Sequence, residues 1–86
     1  MTAKEMFEKL GYKQYKNKYD KQYAKEYGRE IVIRYKLKEI EIIFDLLDGD
    51  YCVFGTGLCR NVGVNIELHK AINKQVEELE WLGEDK

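Results

Sequence analysis

From Ile31 to Leu47 the apolar residues alternate with polar ones, first at positions 31, 33, 35 and 37 and then, after a change of phase, at 40, 42, 44 and 46. A period of two belongs to a strand half buried on one face, because successive side chains of a strand point to opposite sides. The phase change requires the chain to reverse between Leu37 and Ile40, so a tight turn is predicted at Lys38-Glu39. With that turn Leu37 faces Ile40, Tyr35 faces Ile42, Ile33 faces Phe44 and Ile31 faces Leu46, and every apolar partner lies on one side of the sheet. Lys-Glu is a poor composition for a two-residue turn, so a longer loop or a bulge is the alternative. Asp48-Gly49 is a favoured hairpin dipeptide and predicts a further strand, with Leu46 opposite Tyr51, Phe44 opposite Val53 and Asp45 across from Cys52.

Helices are expected at both ends. Thr2 and Glu5 have capping-box spacing, Ala3, Met6, Phe7 and Leu10 share a helical face, and Gly11 stops the helix. Near the other end Asn65 is placed to cap a helix running to about Trp81, with Leu68, Ile72, Val76, Leu79 and Leu82 as its apolar stripe. Residues 12 to 22 read as an irregular link with Asn17 and Asp20 as turn residues. A first strand is predicted near Gln22 to Tyr27, ended by Gly28-Arg29. The glycines between Phe54 and Gly63 make a loop. The predicted fold is α+β, an antiparallel three- to four-stranded sheet with an N-terminal and a C-terminal helix in the order α-β-β-β(-β)-α, with residues 1–86 as a single domain.

Composition supports that class. The 86 residues suffice for one core, and 44% hydrophobic with 36% charged residues describes a globular chain. No apolar run nears the roughly 18 residues of a membrane span, and Met1 to Glu5 lack the apolar stretch of a signal peptide. Two cysteines are few for a secreted domain of this size, so reduced thiols and a cytoplasmic location are expected. A net charge of −1 gives no overall drive towards nucleic acid or anionic lipid.

Catalytic equipment is sparse, and the chain is not expected to be an enzyme. Serine is absent and His69 is the single histidine, which leaves Cys52 or Cys59 with His69 as the only nucleophile and base; buried, inert thiols are the alternative. Gly55, Gly57 and Gly63 lack the spacing of a phosphate-binding loop. Asp45, Asp48 and Asp50 around Gly49 do not follow a calcium loop. Zinc is the cofactor the residue types allow: Cys52, Cys59 and His69 fall within eighteen residues, and Asp45 would complete a four-ligand set. Against zinc stand the missing close cysteine pairs, and packed cysteines beside a helix-flanking histidine are the other reading.

Tyrosines recur at 12, 15, 19, 23 and 27, interleaved with lysines. Spacing four makes a helical stripe, whereas in a strand Tyr23, Lys25 and Tyr27 share one face. The strand is preferred because Asn17, Asp20 and Gly28 interrupt a helix. Either way Tyr15, Tyr19, Tyr23, Lys25 and Tyr27 form the candidate partner-binding set, since tyrosines with flanking lysines suit a protein interface or stacked bases. A half-buried edge strand guarded by lysines is the structural alternative. With charge near balance, protein is the expected partner. The hairpin register leaves Val32, Ile43, Leu47, Cys52 and Phe54 on the opposite sheet face, to be covered by the first helix or a partner.

The opening Met1-Thr2-Ala3-Lys4-Glu5-Met6-Phe7-Glu8-Lys9-Leu10-Gly11-Tyr12, the core Glu41-Ile42-Ile43-Phe44-Asp45-Leu46 and the closing Leu68-His69-Lys70-Ala71-Ile72-Asn73-Lys74-Gln75-Val76-Glu77-Glu78-Leu79 resemble small accessory proteins of phages and prophages in Gram-positive bacteria. The likeness covers roughly a third of the chain, and the Gly55 to Gly63 loop with Cys59 departs from it. Such proteins include anti-CRISPR inhibitors that occupy a surface of a defence nuclease. The resemblance therefore implies a binding inhibitor in an infected or lysogenic bacterial cytoplasm, with a type II CRISPR nuclease as the first candidate partner. A nucleic-acid-binding or regulatory phage protein and a small zinc-stabilised interaction module are the other expectations.

Overall fold

A computed structural model describes residues 1–55 and 62–81. The chain divides into two compact units, one of Met1–Tyr12 with Gly63–Lys86 and one of Lys13–Val62. Its elements combine helices with an antiparallel sheet, and helices stand near both ends, as the predicted α+β class requires.

In the first unit α1 (Ala3–Lys9) packs against α3 (Ile66–Glu78). The predicted capping box starts α1: Glu5 N–H donates to Thr2 Oγ1 at 3.1 Å and Thr2 N–H donates to Glu5 Oε1 at 2.8 Å. Two N–H groups without helical acceptors are thereby satisfied. The Thr2 backbone N–H, followed by its hydroxyl, holds the Glu5 carboxyl below its ordinary pKa. A third first-turn donor, Ala3 N–H, is taken by Glu78 Oε2 of α3 at 2.8 Å, which ties the two helices at their ends. Ala3 and Phe7 of α1 and Leu68, Ala71 and Ile72 of α3 are buried. Gly11, with φ 97, turns the chain so that Tyr12 packs edge-on against Phe7, ring centroids 5.9 Å apart. Asn65 caps α3 as predicted, its Oδ1 accepting from Leu68 N–H at 2.8 Å. The helix ends at Glu78, short of the predicted Trp81, where Glu80 adopts φ 61; Leu82 of the predicted stripe lies outside the described residues.

The second unit holds β1 (Lys13–Tyr15), α2 (Lys18–Tyr27), β2 (Val32–Leu37), β3 (Ile40–Asp45) and β4 (Asp50–Gly55). The four strands pair antiparallel in the order β1-β2-β3-β4. The β2–β3 register is the predicted one, Leu37 with Ile40, Tyr35 with Ile42 and Ile33 with Phe44, and Leu46 N–H donates to Ile31 O just beyond it. Lys38 takes φ 53, so two residues do close this turn despite their composition. Tyr35, Ile42 and Phe44 are fully buried, the two rings meeting edge to face at 6.2 Å.

Two expectations are corrected. Residues 22 to 27 are helical and the first strand is Lys13–Tyr15, because Asn17 and Gly28 bound α2 and Asp20, in its first turn, completes the cap. Asn17 is the N-cap, its Oδ1 accepting from Asp20 N–H at 2.8 Å while Asp20 Oδ2 accepts from Asn17 N–H, and Gly28 at φ 74 ends the helix in the left-handed region. The second hairpin is slipped by two residues: Phe44 pairs with Tyr51, Ile42 with Val53 and Ile43 with Cys52, while Asp45 faces Asp50. Asp45 Oδ1 accepts from Leu47 and Asp48 N–H, and Gly49 N–H reaches Asp45 O at 2.9 Å, which stabilises a four-residue loop over the two-residue turn. A slip of two keeps every side chain on its predicted face. Among the described residues no helix is long and apolar enough to cross a membrane.

Candidate protein-binding surface

The helical period arranges the tyrosines of α2. At about 100° per residue a spacing of four advances a side chain by only about 40°, so Tyr19, Tyr23 and Tyr27 form one stripe. All three are open to solvent, at 56%, 45% and 54% of their full exposure. Lys25 leaves the predicted set, because two residues from Tyr23 and two from Tyr27 is about 200° around a helix. The strand reading put the three side by side, and the helix turns Lys25 away. Lys18 stays close, its Nζ 5.3 Å from the Tyr19 ring centroid.

What fixes this stripe is a buried charge. Asp20 is 3% exposed, and its Oδ2 accepts from Arg34 Nε of β2 at 2.8 Å while the same carboxylate completes the cap of α2. Burial of Arg34 acts to lower its pKa, and the Asp20 hydrogen bond and charge outweigh that and hold it above its ordinary value. One carboxylate thus both starts the helix and clamps it to the sheet. Sequence reading missed this pair. The Asn17-x-x-Asp20 spacing followed by a glycine eight residues later signals the start and stop of the helix, but not its partner on β2.

Tyr19 and Tyr23 border a shallow groove of about 300 Å³ whose sheet side includes Val32, Ile43 and Leu47. Leu47, in the loop after β3, is 47% exposed. Val32, Ile43 and Leu47 of the second apolar face expected from the alternation therefore adjoin Tyr19 and Tyr23, while Cys52 and Phe54 do not line this groove. At the small end of ligand-pocket volumes, the groove suits side chains of a partner better than an enclosed small molecule.

Tyr15 and Tyr12 stand apart from the stripe. Tyr15 is in β1, half-buried, with its hydroxyl donating to Glu41 Oε1. Burial, and then the Glu41 carboxylate, raise its pKa above the ordinary tyrosine range. Tyr12 is buried on Phe7.

The predicted zinc ligands are placed as follows. Cys52 is a free, exposed thiol on β4. Asp45 is not across from it, since the slipped register puts Ile43 there, and the Asp45 carboxylate is engaged by its own loop. His69 is exposed on α3, and Cys59 lies outside the described residues. Among the described residues no three histidine, cysteine or acidic side chains gather to hold a metal ion. No protein-family model, curated protein or solved structure matches the chain.

Proposed function

We propose that the protein acts by binding another protein through the α2 tyrosine stripe and the adjoining groove. The observation that carries this reading is the exposure of Tyr19, Tyr23 and Tyr27 along one face of a helix clamped by Asp20 and Arg34. Tyrosine side chains supply large contact area for few rotatable bonds, and a pre-ordered helix loses little entropy on docking. Leu47 extends the apolar part of the surface, and Lys18 adds a cation at its edge. A rim lysine acts mainly on association rate, whereas a tyrosine at the centre of an interface contributes about 2 kcal/mol or more.

The resemblance of the chain's ends and of Glu41–Leu46 to phage accessory proteins supplies the first target to try. In this reading the protein inhibits a host defence nuclease, a type II CRISPR nuclease first, by occupying part of its surface. The test is binding and inhibition of that nuclease by the wild type and by Tyr23→Ala/Tyr27→Ala. Loss of both with the fold intact is the expected result, and undiminished inhibition by the folded double variant would contradict it. Tight binding to bare single-stranded nucleic acid that weakens steeply with salt would move the assignment to the nucleic-acid class.

A further inference from the structure

The two edges of the sheet are built differently. β1 has three residues and is bounded by Lys13 and Lys16, the short, lysine-guarded form that discourages pairing with another chain. β4 has six residues, Asp50–Gly55, and contains neither lysine nor proline. Its pairing with β3 runs unbroken from Asp45–Asp50 to Ile40–Gly55, so no bulge twists it away. Tyr51 at 46% and Phe54 at 37% exposure show that side chains on both of its faces reach solvent. Among the described residues β4 has no neighbour beyond it, which leaves alternate main-chain N–H and C=O groups along about 20 Å of edge to be paired.

We propose that β4 pairs antiparallel with β4 of a second copy of this chain about a two-fold axis at Cys52, extending the sheet from four strands to eight. The chain supplies a strand whose side chains fit its own edge. A two-fold axis normal to the sheet must keep each face continuous, so residues of like parity meet. With the axis at Cys52, Tyr51 lies opposite the second copy's Val53, twice by symmetry, an aromatic with β-branched pair of the kind that stabilises sheets. Asp50, the strand's one charged residue, meets the second copy's Phe54 and not another carboxylate. Cys52 meets Cys52, two exposed thiols on one face. This interface is separate from the α2 stripe, so its presence or absence leaves that assignment unaffected.

The experiment is light scattering coupled to size exclusion over a concentration series, on a Cys59→Ser protein in which Cys52 is the only thiol, with thiol cross-linking by mild oxidation. The expected result is a concentration-dependent dimer that cross-links through Cys52. Cys52→Lys sets two lysines against each other across the axis at a position exposed in the single chain, and it is expected to give a folded monomer where the parent is dimeric. Cys52→Ser should keep the dimer and lose only the cross-link. A monomer at every concentration, or a dimer indifferent to Cys52→Lys, would overturn the proposal.

Discussion

Tyr35 and Tyr23 are the same side chain in two regions of one unit, and the molecule treats them oppositely. In the β2–β3 hairpin Tyr35 is fully buried against Phe44, whereas on α2 Tyr23 is 45% exposed beside Tyr19 and Tyr27. Both regions carry periodic apolar residues, at spacing two and spacing four. Period identifies the element, but burial decides whether its apolar face is used for folding or left open to solvent. In the hairpin both strands bring apolar residues to one side, where Tyr35, Ile42 and Phe44 are fully buried. On α2 the contact with the sheet is made by Asp20, next to the stripe around the helix, and the tyrosines are left outside.

The comparison can be broken first at the hairpin. Phe44→Ala is expected to cost about 3 to 5 kcal/mol, measured by denaturant unfolding, because it empties a fully buried site against the Tyr35 and Tyr51 rings. A loss below about 1 kcal/mol would mean that the hairpin is not where folding energy concentrates.

The next largest effect belongs to the clamp. Asp20→Ala removes a buried carboxylate from Arg34 and from the helix cap together and is expected to cost about 3 kcal/mol, the low end for breaking a buried pair because the Arg34 side chain retains 23% exposure. Adding Arg34→Met should recover part of that loss, since it removes the unpaired charge. Additive losses in the double variant would show that the two side chains do not act as a pair.

A smaller, pH-dependent effect is expected at Tyr15. Its pKa is raised in the folded protein, so the folded state holds this proton more tightly than the unfolded chain. The contribution is fully present below the ordinary tyrosine pKa of about 10 and is lost as pH rises through the folded value. Melting temperature should therefore fall more steeply above about pH 10 in the wild type than in Tyr15→Phe. Parallel curves would detach the Tyr15–Glu41 hydrogen bond from stability.

Sequence and structure agree where a pattern pointed to one physical solution. The phase change at Lys38-Glu39 favoured the observed register over the longer loop or bulge that the turn's composition left open, and the Thr2/Glu5 and Asn65 caps stood beside clear apolar stripes. Residues with two roles caused the misses. Asn17, Asp20 and Gly28 favour turns one at a time, but their spacing is that of a cap, an N3 partner and a left-handed stop, so the helix lies between them. Asp48-Gly49 favours a two-residue turn, yet the Asp45 side chain and carbonyl close a wider loop, and alternation could not detect a slip that preserves faces. The tyrosine stripe was legible as composition. Its separation from Lys25 and the place of Arg34 depended on a helix position and a long-range ion pair that local pattern does not carry.

The smallest expected stability effect bears on the central claim, that the α2 tyrosines are exposed for a partner and are not needed for folding. Tyr23→Ala/Tyr27→Ala should change unfolding free energy by no more than about 0.5 kcal/mol each, as for surface positions, while weakening partner binding by about 2 kcal/mol or more. The direct measurement is melting of both proteins alongside their affinity capture from a lysate of a Gram-positive bacterium, the kind of host the proposed function implies, with retained proteins quantified by mass spectrometry. The expected result is matched melting, with a protein captured by the wild type and lost from the double variant. A double variant that unfolds, or one that melts alike and captures the same proteins in the same amounts, would contradict the claim.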